Sequence, residues 1–157
     1  MSKIHITTFI AAPVERVFDL SRHLALYKFL FQNRNEKFSA ATGSNLIAKN
    51  ETMSINIKHA GKTRVSLLKI TEFMKPLAFT EEQVKGDLEN FKHEHHFRQI
   101  ENGTIIIDIL DFGRPRDLIG KLLGKVYLKK YLEQLVLKRN EVIRSYAETE
   151  KWRAVLS

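Results

Sequence analysis

The chain has 157 residues, the length of one ordinary domain and enough to bury roughly 70% of the surface exposed by the unfolded chain. Its residues are 43% hydrophobic and 10% aromatic, as in a globular protein, and no apolar run approaches the ~20 residues of a membrane-spanning helix. The absence of cysteine excludes disulfides, thiolate metal sites and cysteine nucleophiles, and it favours the cytoplasm. Because the residues after Met1 enter an alternating pattern directly, we expect no signal peptide.

The net charge is +8, and most of it lies near the C-terminus. Residues 114–153 contain eleven Lys/Arg and five Asp/Glu, which accounts for six of the eight charges. A basic surface of this kind could contact nucleic acid, an acidic partner or an anionic membrane. No nucleic-acid motif accompanies the charge, so we expect no nucleic-acid partner and interpret the segment as a solvated basic helix face. A weak contact with an acidic partner or a membrane surface is the alternative, through Lys129, Lys130, Lys138 and Arg139.

The N-terminal part of the sequence predicts one strand followed by two short helices. Residues 3–10 alternate and are rich in β-branched side chains, as expected for a strand. Pro13 suits the first turn of a helix, and apolar residues follow it at helical spacing. A second short helix is predicted from Leu24 to Phe31.

Residues 37–112 predict about six consecutive strands joined by short turns. Met53, Ile55 and Ile57 alternate with polar residues, which indicates a half-buried strand. The predicted strands are 37–41, a segment from Leu46 onward that includes 53–57, 63–74, 77–85 and the two arms of a hairpin within 91–112. Because consecutive strands with short turns pair as neighbours, we expect an antiparallel meander.

The Asn-Gly pair at 102–103 lies between two alternating runs. It predicts a two-residue type I′ hairpin, because both central residues of that turn need φ > 0. The turn would set Phe97 opposite Asp108 and His95 opposite Leu110.

The two strands of this hairpin have distinct faces, because side chains alternate across a strand. One face is mostly apolar or aromatic but keeps three polar side chains, and it carries Phe91, His93, His95, Phe97, Ile106, Asp108, Leu110 and Phe112. The other face carries Lys92, Glu94, His96 and Arg98, which we expect to face solvent. An apolar surface with a few polar groups is typical of a cavity lining, so we predict that the first face points inward, toward the last helix.

Residues 117–150 predict a long helix whose apolar stripe changes side. At 100° per residue, the apolar residues of the first turns lie roughly opposite those of the remainder. Since glycine is a poor helix residue, we expect a break between Gly120 and Leu128, near Gly124. Two side chains of the first part are then expected to be shielded from solvent: Ile119 and Leu123.

Three stretches of the chain resemble the START-like (SRPBCC) superfamily, typified by the birch-pollen allergen and the polyketide cyclase/dehydrase and lipid-transfer groups. They are 10–18 (IAAPVERVF), 91–97 (FKHEHHF) and 103–112 (GTIIIDILDF). The helix around 139–140 and the tail 147–152 are similar to a subgroup sometimes labelled cell-division inhibitor. The resemblance implies one α+β domain over residues 1–157 with the helix-grip fold. In that fold a curved antiparallel sheet of six or seven strands wraps a long C-terminal helix, and a cavity lies between them.

His93 and His95, two residues apart on one predicted strand, could approach a single metal ion. However, His96 points to the opposite face, and Asp108 would be only a diagonal neighbour of His95. The ligand set is therefore incomplete, and we predict no metal site and no cofactor.

His95 and Asp108 form a candidate acid/base pair, which would suit a cyclase or dehydratase that moves a proton inside a dry pocket. Glu81 and Glu82 must point to different faces of their strand, and we interpret them as a solvated edge pair. The polar residues of the inner face could equally hydrogen-bond one another and water. No catalytic residue is therefore assigned, and an enzyme is a secondary hypothesis.

We predict a protein that binds or transports a small apolar or aromatic ligand, lipid-like, polyketide-like or isoprenoid-like, between the sheet and the last helix. The predicted ligand-binding residues are Met53, Ile55, Ile57, Phe91, His93, His95, Phe97, Asp108, Leu110, Phe112, Leu122 and Val126. A cyclase/dehydratase-type enzyme is the first alternative. A protein-interaction module that acts through the basic C-terminal helix is the second.

Overall fold

The computed structural model describes residues 1–31, 36–41, 44–59 and 62–156. Within these ranges the side chains of 36–38, 41, 57–59, 62–64 and 118–123 are outside the description. The predictions made for four side chains therefore lie outside the described residues: Ile57, Ile119, Leu122 and Leu123.

The described chain begins with one strand and two short helices, continues with six strands and ends in helix. The strands are β1 (Ser2–Ile10), β2 (Glu36–Ala41), β3 (Thr52–His59), β4 (Lys62–Met74), β5 (Ala78–Lys85), β6 (Phe91–Ile100) and β7 (Gly103–Phe112). The α-helices are α1 (Val14–Ser21), α2 (Leu24–Phe31), α3 (Leu118–Ala147) and α4 (Arg153–Leu156), with a 3-10 turn at Glu150–Trp152 before α4. The predicted order of elements is confirmed.

The strands form one curved, seven-stranded sheet in the order β1-β7-β6-β5-β4-β3-β2. Every neighbouring pair is antiparallel, as the meander predicts. The helices α1 and α2 carry the chain from β1 at one edge to β2 at the other. The strand predicted from Leu46 is wrong in its start: Leu46 forms an isolated bridge with His23, and β3 begins at Thr52. The intervening residues turn instead, with Asn50 at a φ of 68°.

The helices pack on the inner face of the sheet around a core of aromatic and aliphatic side chains. Phe18 of α1 makes edge contacts with Phe73, Phe79 and Phe97, with ring centroids 5.5, 5.6 and 5.1 Å away. A second apolar cluster joins α3 to β1 and β7 through Ile4, Leu110, Phe112, Leu132 and Val136. The predicted packing of the last helix against the sheet is therefore confirmed.

The β6–β7 hairpin has a register two residues away from the predicted one. Its two turn residues are Glu101 and Asn102, so that Ile100 pairs with Gly103. Consequently His95 lies opposite Asp108, and the predicted pairing of Phe97 with Asp108 is wrong. A shift of two residues leaves every side chain on its predicted face, because side chains alternate with a period of two.

Gly103 begins β7 where the hairpin passes close to the end of β1. A Cβ atom at this position would lie 2.3 Å from the carbonyl oxygen of Ile10 and 2.9 Å from the Cα of Ala11. Backbone atoms cannot move aside as a side chain can, so this position requires a residue without a Cβ atom.

We expect Gly103→Ala to lower the free energy of unfolding by about 1–3 kcal/mol, the usual cost of forcing extra volume into a packed site. Gly86→Ala is a matched control, because the three atoms nearest to its Cβ would all belong to the side chain of Gln83 and not to backbone. Urea unfolding followed by circular dichroism measures both values. An equal loss in the two variants would contradict this account of the close approach.

The helix α3 is broken at Gly124, which has φ 80° and ψ 165° within an otherwise helical run. This conformation is open to glycine and rare for other residues. The break predicted from the change of apolar stripe is confirmed. None of the helices in the described part of the chain is long and apolar enough to cross a membrane.

Candidate functional site

Eight polar side chains meet in the interior between the sheet and α3. We call this group the buried polar cluster, and its members are Thr8, Tyr27, Glu81, His93, His95, Asp108, Arg139 and Asn140, all buried. They come from β1, α2, β5, β6, β7 and α3. Strand register explains most of the juxtaposition, because Glu81 pairs with His93 across β5 and β6, and His95 pairs with Asp108 across β6 and β7.

Asp108 is the acceptor at the centre of the cluster and is itself 0% exposed. Its Oδ1 lies 2.9 Å from Nε2 of His93 and 2.9 Å from Nδ1 of His95. Its Oδ2 accepts a hydrogen bond from the Asn140 amide at 2.8 Å, and the guanidinium of Arg139 is 3.8 Å from Oδ1. Four side chains from two elements are therefore held by one carboxylate.

Glu81 faces the opposite side of the two imidazole rings. Its Oε1 lies 3.6 Å from Nε2 of His95, and its Oε2 lies 4.0 Å from Nδ1 of His93. The hydroxyl of Tyr27 donates a hydrogen bond to Oε1. The two imidazoles thus lie between two carboxylates, hydrogen-bonded to Asp108 and within 4.0 Å of Glu81.

The carboxyl groups of the cluster are ionised in spite of their burial. Burial raises the pKa of Asp108, but hydrogen bonds from His93 and His95 outweigh it and hold that pKa well below its usual range. Burial likewise raises the pKa of Glu81, yet the neighbouring His95, His93 and Arg139 lower it to about 2.

His93 and Tyr27 are neutral at physiological pH. Burial, followed by the neighbouring His95, lowers the pKa of His93 to about 4 in spite of its hydrogen bond to Asp108. Burial and the negative charge of Glu81 raise the pKa of Tyr27 well above its usual value, so the phenol keeps the proton that it donates.

A small cavity adjoins the cluster where α2 meets α3. It has a volume of about 10 Å³, room for one water molecule. Its lining is apolar apart from three residues, and it consists of Leu20, Ser21, Leu26, Tyr27, Leu30, Arg139, Val142 and Ile143. Tyr27 and Arg139 belong both to this lining and to the buried polar cluster.

Many solved structures share this architecture, and the three that follow have 11–14% sequence identity to the chain. The Zhui aromatase/cyclase from Streptomyces sp. R1128 superposes with a TM-score of 0.71 at 14% identity, over 94% of this chain and 93% of that one. A START superfamily protein from Mycobacterium smegmatis gives 0.67 at 11% identity, over 93% and 97% of the two chains. Ara h 8.0201 gives 0.69 at 14% identity, over 93% and 97%.

The chain has the START-like fold. No family model and no curated protein matches the sequence. At these identities the likeness shows the START-like fold alone, and function must be argued from the site. The similarity to a subgroup labelled cell-division inhibitor stays a prediction.

Within this START-like fold, most of the predicted inner-face residues are indeed buried. His93, His95 and Asp108 point inward to the cluster, while His96 and Arg98 on the opposite face of β6 are exposed. The apolar members of the predicted set are buried or partly buried: Met53, Ile55, Phe91, Phe97, Leu110 and Phe112. None of the predicted residues lines the small cavity. Their role in binding a ligand stays a prediction.

Three sequence-based expectations about the site are wrong. Val126, predicted to contact a ligand, is 83% exposed, because the break at Gly124 separates it from the turns before it. Glu81 is buried in the cluster instead of lying on a solvated edge. Arg139, assigned to the basic surface of the last helix, is buried against Asp108, whereas Lys129 and Lys130 are exposed.

Sequence reasoning missed five members of the site: Thr8, Tyr27, Glu81, Arg139 and Asn140. A signal was present for Asn140, which lies at helical spacing from the buried Val136 and Ile143 and is thus a polar residue on an apolar face. For Glu81, the alternation of side chains along β5 did not show which face of the strand points inward. Its pairing with His93 places Glu81 on the inner face.

Proposed function

We propose that the protein binds a small, mostly apolar molecule whose polar end group reaches the buried polar cluster. The observation that carries this proposal is the position of Tyr27 and Arg139, which belong to the cluster and also line an otherwise apolar cavity. Binding sites in proteins are generally concave and apolar, with a few polar groups that orient the ligand.

The charges of the cluster support a functional role over a stabilising one. Replacing a buried ion pair with apolar residues is often neutral or stabilising, so burial of Asp108, Glu81 and Arg139 is weak as a stability device. Ionisable groups with strongly shifted pKa values are concentrated at functional sites. The two carboxyl groups and His93 have such shifts.

The cluster offers both donors and acceptors to a ligand. Arg139 can donate, whereas the carboxylate of Glu81 and the hydroxyl oxygen of Tyr27, whose own proton goes to Glu81, can accept, so a hydroxyl or carbonyl group suits the cluster better than a bare charge. Because the cavity has room for one water molecule only, α2 would have to move away from α3 to admit the apolar part of the ligand. The proposed partner is therefore the small hydrophobic molecule that the sequence predicts.

We expect purified protein to bind 2-naphthol, an aromatic molecule with one hydroxyl group, saturably and with a stoichiometry of one. Tyr27→Phe removes a hydroxyl without changing the packed volume and should weaken this affinity about tenfold, or ~1.4 kcal/mol. Tyr131→Phe, on the exposed surface of α3, is the control and should leave the affinity unchanged. The fluorescence of 2-naphthol during titration reports both constants.

A lack of saturable binding in the wild-type protein, together with no co-purifying molecule in its native mass spectrum, would refute the proposal. Equal affinities of Tyr27→Phe and the wild type would place the ligand elsewhere. In that case the buried polar cluster would not contact the polar end of the ligand.

An enzyme of the cyclase/dehydratase type is the second candidate function, favoured by one specific observation. His95 lies directly opposite Asp108, with Nδ1 and Oδ1 2.9 Å apart, so the carboxylate holds a proton on Nδ1 and leaves Nε2 to accept one. Under this hypothesis His95→Gln abolishes turnover of a β-hydroxyketone while 2-naphthol affinity survives. Loss of affinity without any measurable turnover in the wild type would favour the binding protein.

A further inference from the structure

We propose that Glu81, His93 and His95 form a binding site for a divalent transition-metal ion. The sequence predicts no metal site, and the proposal does not depend on the nature of the apolar ligand. It rests on four features of the buried polar cluster: ligand geometry, tautomer control, an unpaired nitrogen and the balance of charge.

The three side chains present their ligand atoms to a common point. One nitrogen of each imidazole and one carboxylate oxygen all lie within 4.8 Å of one another. The nearest nitrogen–oxygen separation is 3.6 Å, between His95 and Glu81. Ligand atoms of a tetrahedral ion with bonds of ~2.05 Å are about 3.3 Å apart, so only small side-chain rotations are needed to close the site.

Asp108 fixes the tautomers that metal binding requires. Its Oδ1 accepts hydrogen bonds from Nε2 of His93 and from Nδ1 of His95, so these two nitrogens carry the protons. The remaining nitrogens, Nδ1 of His93 and Nε2 of His95, have their lone pairs free, and they are the atoms nearest Glu81. A carboxylate that holds the distal N–H of a ligating imidazole is the usual support of a protein metal site.

Nε2 of His95 has no hydrogen-bond partner among the described residues, although its side chain is 0% exposed. Its separation of 3.6 Å from Glu81 is too long for a hydrogen bond. Buried polar nitrogens are nearly always paired, so an unpaired one aimed at a carboxylate indicates a missing group between them.

The charges of the cluster leave room for a cation. The buried polar cluster contains two carboxylic side chains, Asp108 and Glu81, and among its described members a single guanidinium, that of Arg139. An uncompensated negative charge is costly in a buried site. A bound divalent ion would compensate it.

The donor set selects the class of metal. Two imidazoles with one carboxylate suit zinc or iron(II), whereas calcium and magnesium prefer oxygen ligands alone. Three protein ligands leave at least one coordination position for water or a ligand atom. Tyr27, which donates to Glu81 and lines the cavity, connects this ion site to the space beside it.

The test uses chelator-treated wild-type protein titrated with Co²⁺ by visible absorption and with Zn²⁺ in competition with a chromophoric chelator. We expect one ion per chain with a dissociation constant in the micromolar range or below. His95→Gln and Glu81→Gln should each weaken Zn²⁺ binding at least about 100-fold, through loss of a ligand. Asp108→Asn should weaken it about 10–100-fold, the usual effect of removing a supporting carboxylate.

His96→Gln is the matched control, because His96 lies on the exposed face of the same strand. It should bind Zn²⁺ as tightly as the wild type. If a cluster variant fails to fold by circular dichroism, proton NMR of the Co²⁺-loaded wild-type protein replaces it. Two strongly shifted exchangeable imidazole signals are expected there, one from each ligating histidine.

Three results would overturn the proposal: no stoichiometric ion in the wild type, binding that survives in His95→Gln, or equal loss in His96→Gln. Failure of the metal site is distinguishable from failure of the ligand proposal, because the 2-naphthol titration is repeated on the chelator-treated protein. A protein that binds 2-naphthol but no metal would retain the first function without the second.

Discussion

Asp108→Asn should lower the free energy of unfolding by about 3–5 kcal/mol, the loss expected when one partner of a buried charged network is removed. The asparagine fills the same space but brings two N–H donors and a single acceptor oxygen to a place where three donors converge. Its amide nitrogen would face an N–H group of Asn140 or of a histidine, and Arg139 would lose its nearest carboxylate. The cost is the desolvation of these unpaired groups.

Asp111→Asn is the matched control on the same strand. Asp111 lies on the opposite face of β7 and pairs with Lys3 at 3.5 Å, where the lysine is largely exposed. A surface pair of this kind contributes about 0–1 kcal/mol, so the control should unfold close to the wild type. Urea denaturation of chelator-treated protein gives both values. Similar stabilities of the two variants would show that Asp108 does not organise the cluster.

Acidification of the chelator-treated protein from pH 7 to pH 4 should lower the free energy of unfolding by about 3 kcal/mol through His93 alone. The pKa of His93 is about 4 in the folded protein, chiefly because of burial, against ~6.5 in an unfolded chain. Between these values the unfolded chain binds a proton that the folded chain does not, so stability falls as pH falls. Well above pH 6.5 both states are neutral and the contribution is constant.

The groups that face His93 are Glu81 from β5, His95 beside it and Asp108 from β7, and Arg139 from α3 lies on the far side against Asp108. The depressed pKa values of Glu81 and Asp108 add a further loss of stability in more acidic solution, below the range in which His93 acts. The measurement is a set of urea denaturation curves at intervals of pH.

His93→Gln should flatten the dependence on pH between 6.5 and 4, whatever its effect on absolute stability. His96→Gln, on the exposed face, should retain the full dependence. His23, whose pKa burial also lowers, contributes in the same direction in all three proteins, so the difference between variants isolates His93. A pH dependence that is unchanged in His93→Gln would contradict a neutral, buried His93.

Local pattern in the sequence determined which faces are buried and where the last helix breaks. The period of two along β6 and β7 sends His93, His95 and Asp108 inward, and this outcome survives a register error of two residues because the parity is unchanged. The apolar stripe of α3 changes side along the helix, and a straight helix packed on one surface can bury only one such stripe. This change located the break at Gly124.

Only the tertiary structure decided which inward residues touch one another. The pairing of Glu81 with His93 depends on the register between β5 and β6, and no local signal sets it. The contact of Arg139 with Asp108 depends on how α3 lies across the sheet. Val126 was wrongly predicted for a related reason. The helical wheel grouped it with the turns before Gly124, but the break there changes the direction in which later side chains point, and the Val126 side chain lies in solvent. Side-chain periodicity is a property of one element, whereas a binding site is made between elements, and its geometry follows from their packing.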